Sequence, residues 1–121
     1  MYVLDKLRRE LRALARQRCE YCLLDERYAG KPHEPDHICA EKHGGETSLN
    51  ILCLSCFDCN SRKGSDLCSV DPQTVEIVPL FHPRQHTWSE HFQLNRAVIE
   101  PLTSTGRVTS RLLDINNPER V

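Results

Sequence analysis

Two Cys-x-x-Cys pairs, Cys19 with Cys22 and Cys56 with Cys59, bracket the run Asp36-His37-Ile38, and the second pair opens directly into Asn60-Ser61-Arg62-Lys63. Four thiolates at paired short spacing close a tetrahedral zinc site, so two distant stretches of chain must meet as knuckles around one ion. That constraint weighs heavily in 121 residues. A domain of this size buries a modest core and draws much of its folding energy from a structural metal. Around the staple lie a carboxylate, an imidazole and an amide, at Asp36, His37 and Asn60, which are the parts of a second metal centre suited to phosphodiester hydrolysis.

The chain carries seven cysteines. An odd number with four in close pairs reads as reduced and metal-bound rather than disulfide-linked. Cys39, Cys53 and Cys68 are left over and read as small residues beside or behind the site, since none has an activating partner nearby in sequence. The first residues lack the basic and then apolar pattern of a signal peptide, and no apolar run reaches the roughly 18 residues of a membrane span. A cytoplasmic protein with no membrane partner is therefore expected. The formal net charge of −1 gives no global argument for nucleic-acid binding. Its distribution is more informative: Lys6, Arg8, Arg9, Arg12, Arg16 and Arg18 crowd the first segment against Asp5 and Glu10. That face is either laid along phosphates or simply solvated.

Leu4, Leu7, Leu11 and Leu14 recur at helical spacing and predict an amphipathic helix ending near Gln17. Residues 33–39 read as a strand that Pro35 confines to an edge or a bulge. Gly44-Gly45 marks a tight turn, residues 49–55 a second strand, and residues 57–63 a short helix stopped by Gly64. Beyond it, residues 70–73 read as a turn, 75–81 and 91–102 as extended segments, and a helix runs from near Thr105 towards Ile115 with Leu112 and Leu113 on its buried side. Asn117-Pro118 looks like a further helix start. The expected architecture is a single α+β domain over 1–121. It comprises a basic N-terminal helix (1–18), zinc knuckles with a strand, turn, strand and helix core (19–64), and a strand and helix extension (65–121).

The stretch from Cys19 to Gly64 resembles the HNH endonucleases, in the zinc-stapled form that reads Cys-x-x-Cys, Asp-His-Ile, Gly-Gly, Cys-x-x-Cys-Asn-x-x-Lys. The segment Ile77-Val78-Pro79-Leu80-Phe81-His82-Pro83-Arg84 is similar to a C-terminal extension found in one subgroup. The resemblance implies a ββα-metal finger that hydrolyses nucleic acid, with DNA the expected substrate. It gives Asp36 and Asn60 the binding of a catalytic divalent cation such as Mg²⁺, Mn²⁺ or Ni²⁺, and His37 the role of general base. A neutral imidazole deprotonates water near pH 7, and hard oxygen ligands suit these cations. Lys63 lies three residues after Asn60, on nearly the same helix face. It either reaches a phosphate oxygen or is an ordinary cation near a helix end.

Asp36 and His37 are adjacent, and on a strand adjacent side chains leave on opposite faces, so a distortion supplied by Pro35 is expected to turn both towards one phosphate. The resemblance also places an asparagine where this chain has Ile51, with Asn50 one step earlier. On a regular strand that displacement turns the amide away from the loop it would brace, whereas a bulge would shift Asn50 into the bracing role with Ile51 packed in the core. His82, His86 and His91 form a separate group. Pro83 and the lack of an acidic third ligand favour solvent-facing or core-edge rings over a metal site, and Trp88 and Phe92 are expected to pack against the sheet. The rival to a nuclease is a zinc-stabilised nucleic-acid binding module that no longer cleaves.

Overall fold

The computed structural model describes residues 5–119. Helix α1 (Asp5–Ala15) precedes the first knuckle, followed by strands β1 (Glu34–His37) and β2 (Leu52–Ser55) and helix α2 (Phe57–Lys63). The extension contributes a hairpin of β3 (Cys68–Val70) and β4 (Ile77–Pro79), a single helical turn α3 (Trp88–His91), a second hairpin of β5 (Phe92–Asn95) and β6 (Val98–Pro101), and helix α4 (Ser104–Leu113). Each of the three sheets has two antiparallel strands. The result is a small α+β fold with a finger of two strands and a helix. No helix among the described residues is long and apolar enough to cross a membrane.

The apolar stripe of α1 does what its spacing predicts through Leu7 and Leu11, which pack on Leu52 and Leu54 of β2. Leu4 lies outside the described residues. Leu14 is 56% exposed; the helix stops at Ala15 and not near Gln17, where Arg16 and Gln17 turn the chain aside with left-handed φ of 56° and 58°. Its basic face is largely spent within the molecule. Arg12 donates to both oxygens of Glu26 and to the His33 carbonyl, and Arg8 pairs with Glu34.

Pro35 sits inside the paired stretch of β1, across from Leu54. The missing N–H costs nothing there, because the N–H and C=O of Leu54 both turn away to Glu20, whose carboxylate accepts from Leu54 N at 2.7 Å and whose N–H donates to Leu54 O. Gly44 and Gly45 form the turn their sequence announces. Gly44 takes φ 91°, and a Cβ on Gly45 would lie 1.8 Å from the Cys39 carbonyl oxygen. Asn50 and Ile51 belong to a turn that closes through Leu52 N to Ser48 O, so β2 starts later than the expected residue 49.

Two segments read as extended are corrected. Residues 91–102 are a hairpin, reversed at Arg96 with φ 59°, and only Ile77–Pro79 of residues 75–81 is a strand. The 70–73 turn is present, held by the Asp71 carboxylate, which accepts from Gln73 N and Thr74 Oγ1 and is clasped by both ends of the Arg107 guanidinium. At the far end Asn117 Oδ1 accepts from Glu119 N, as a helix-capping asparagine would; the rest of that proposed start falls outside the described residues.

Finger and extension share a core. Tyr21, Ile38, Cys53 and the zinc-knuckle cysteines pack with Phe81, Phe92, Ile99, Leu113 and Ile115. Trp88 stacks on Phe92, and its indole N–H donates to Tyr21 O at 3.0 Å. Arg84 fastens the two parts: it grips the Glu20 carboxylate with both terminal nitrogens and donates from Nε to Leu49 O at 2.9 Å. Arg84→Met strands the Glu20 carboxylate in a largely buried position and is expected to cost about 2 kcal/mol, below the range for fully buried pairs because some solvent reaches both groups. Arg84→Lys is expected to recover little, since an ammonium offers no bidentate fork. Thermal melts of the two variants against wild type check this.

Candidate active site

The four knuckle sulfurs all lie within 4.8 Å of one another, the one group of this kind among the described residues. Sulfurs about 2.3 Å from a tetrahedral zinc are about 3.8 Å apart, and Cys22 Sγ and Cys56 Sγ are 3.7 Å apart. Distance and donor chemistry therefore fit a structural metal such as zinc. Cys56 caps α2, its sulfur accepting from Cys59 N at 3.4 Å. Hydrogen bonds from the Cys19, Cys22 and Cys59 thiols hold the Cys56 thiol well below its usual range, while burial pushes Cys19 up.

Residue-for-residue pairing of β1 with β2 continues through His37, which faces Leu52, while Asp36 faces Cys53. The expected distortion is absent: Pro35 introduces no bulge, and the two side chains leave on opposite faces of the strand. Asp36, 6% exposed, turns to the zinc side. There its Oδ2 accepts from the Tyr21 hydroxyl at 3.4 Å, with Cys53 Sγ at 3.9 Å and Lys63 Nζ at 3.8 Å. Burial pushes its carboxyl up to about 6, against the pull of the Lys63 ammonium and the Tyr21 hydroxyl. His37 turns to the loop after the double glycine, with Nε2 3.0 Å from Thr47 Oγ1 and 3.7 Å from Glu41 Oε1. Beside it opens a shallow hollow lined by Ala40, Glu41, Lys42 and Ser65.

Lys63 is 2% exposed. Its ammonium donates to His37 O at 3.3 Å and Gly64 O at 3.5 Å, so it lies beneath the strand rather than at the surface where an approaching phosphate would meet it. Asn60 is half-buried on α2, one position after the inward-facing Cys59. Asp36 and Asn60 offer the hard oxygens a divalent cation takes, and none of the contacts to Asp36 is short enough to be a strong competitor. All three contacts fall on Oδ2.

Two histidines of the extension hold backbone, and the third meets a side-chain hydroxyl. His82 Nδ1 accepts from Arg84 N and Gln85 N, His86 Nδ1 from His82 N, and His91 Nδ1 lies 2.6 Å from Thr103 Oγ1. They are core-edge rings around Phe81, and burial pulls the pKa of His82 and His91 below the usual value. Sequence reasoning missed Thr47, for which the available signal was a hydroxyl on the loop that Gly44-Gly45 folds back. It also missed Tyr21, a knuckle residue whose phenol reaches the carboxylate of another strand.

Residues 19–66 match the family model of the HNH endonucleases. This segment is similar to an HNH domain. Its two knuckles, its Asp36-His37 strand and its Asn60 helix all fall inside the match, and the extension that packs on it lies outside. No curated protein and no solved structure gives a significant match. An HNH domain implies nuclease activity on nucleic acid, and the cysteine cluster a structural metal.

Proposed function

We propose that the protein is an endonuclease that hydrolyses DNA phosphodiester bonds through a water activated by His37. What carries the reading is the anchoring of one ring nitrogen of His37 by Thr47 within an HNH segment. Glu41 beside that same nitrogen favours a proton on Nε2, donated to Thr47 Oγ1. Nδ1 is then bare and takes the proton of the attacking water. Asp36 and Asn60 would hold the divalent cation, which would neutralise charge on the phosphate and the leaving oxygen, once β1 twists to bring Asp36 out from beneath Tyr21 and Lys63 to the phosphate that His37 serves. Lys63 ties the backbone of the base to α2 through His37 O and steadies the strand that carries both groups.

The deciding experiment is plasmid nicking with Mg²⁺, Mn²⁺ or Ni²⁺ against EDTA. Metal-dependent conversion to open circles is expected; intact plasmid under every metal moves the protein to the second reading, a zinc-stapled module that binds without cutting. That reading is favoured by the burial of Asp36 under Tyr21 and Lys63. Thr47→Val is expected to lower the cleavage rate about 10-fold by freeing the ring, and Thr47→Ser to restore most of it, with melting temperatures close to wild type. Equal rates for the valine variant and wild type would remove Thr47 from the site.

A further inference from the structure

Helix α2 is covered on two sides. Cys59 and Lys63 face the core, and Arg62 turns towards Asp114 at the end of α4, 3.8 Å away. At about 100° per residue, Asn60 and Phe57 are about 60° apart on the side these partners leave open. Phe57 is 55% exposed, on the helix that carries a proposed cation ligand. A cation sits on it: Lys31 Nζ lies 4.0 Å from the ring centroid. The segment supplying that lysine repeats the combination, with Tyr28 77% exposed and the Arg27 guanidinium 5.6 Å from its ring.

An aromatic face with a cation at its edge is the chemistry that receives a nucleobase together with its phosphate: the ring stacks on the base and the ammonium meets the backbone anion. We infer that Phe57 is a stacking platform for a nucleobase of the substrate strand, beside the phosphate brought to Asn60, and that Lys31 changes partner from the ring to a phosphate when nucleic acid binds. The inference rests on the nuclease reading for the identity of the strand. Base-face stacking tolerates any sequence, so the platform positions the strand without selecting it. A merely structural ring, clamping the residue 30 loop through Lys31, would behave differently under substitution.

The test measures affinity for a fluorescein-labelled single-stranded oligonucleotide by anisotropy, in a His37→Gln background that does not cut, with melting temperature as control. Phe57→Ala is expected to weaken binding about 10-fold, Phe57→Trp to restore it, and Phe57→Leu to remain weak, all three melting near the parent. Lys31→Ala is expected to flatten the dependence of log affinity on log salt by roughly one counterion. Leucine binding as well as tryptophan, alanine binding as well as phenylalanine, or no binding by the parent would each overturn the platform. If wild type cuts plasmid while Phe57→Ala binds and cuts as well as it does, only the platform falls. If wild type cuts nothing, the nuclease reading falls, and the affinity series still decides the platform.

Discussion

Stripping the metal from the four-cysteine site with a strong chelator is expected to abolish the cooperative melting transition, and Cys56→Ser to prevent the folded state from accumulating. Structural zinc sites of this type contribute about 10 to 16 kcal/mol near neutral pH, whereas a whole small domain is stable by about 5 to 15 kcal/mol. Removal of the ion therefore takes as much as the fold has. The location sharpens the expectation, since Cys19, Cys56 and Cys59 are buried members of the core shared with Phe81 and Phe92. Cys68→Ser is the control, because that thiol is exposed on β3. Metal analysis is expected to find about one zinc per chain. A folded, zinc-free protein with an unchanged melting temperature would sink the account.

His37→Gln is expected to lower cleavage by a factor of order 10²-fold or more while DNA affinity stays near wild type, because a general base acts on the reaction and not on binding. Glutamine is preferred to alanine, since His37 is largely buried and a cavity would confuse chemistry with folding. Asp36→Ala is expected to separate from it in kind. It loses cation affinity, and it also lowers the melting temperature by leaving the buried Lys63 ammonium without its carboxylate. Equal cleavage by wild type and His37→Gln would take the imidazole out of the mechanism and leave a binding module.

What could be read from the chain was whatever is encoded at short range. The knuckles, the Gly44-Gly45 turn and α2 with its stop at Gly64 depend on residues within a few positions of one another. The extension was harder, because Leu94 and Val98 lie exposed on their hairpin and blur its alternation, and its reversal uses Arg96 where a glycine would have announced it. The site failed in an instructive way. Treating residues 49–55 as one regular strand made the displaced asparagine a question of alternating faces, yet Asn50 and Ile51 lie in a turn where alternation does not apply. Thr47, three positions before Asn50, makes the contact to the imidazole. Nor does spacing foretell that a lysine at a helix end will be buried, an arrangement that exists here because Asp36 and two backbone carbonyls receive its ammonium.

The chain has a single tryptophan, and it stands at the seam: its indole N–H is tied to the first knuckle and its ring is stacked on β5. Intrinsic emission is thus a label-free gauge of one interface, undiluted by other indoles. Far-ultraviolet dichroism, by contrast, follows helices α1 and α4 on either side of that seam. During chelation or denaturant titration, a red shift that precedes the loss of ellipticity would mean the extension lets go while the helices persist. Coincident curves would mean that finger and extension melt as one cooperative unit.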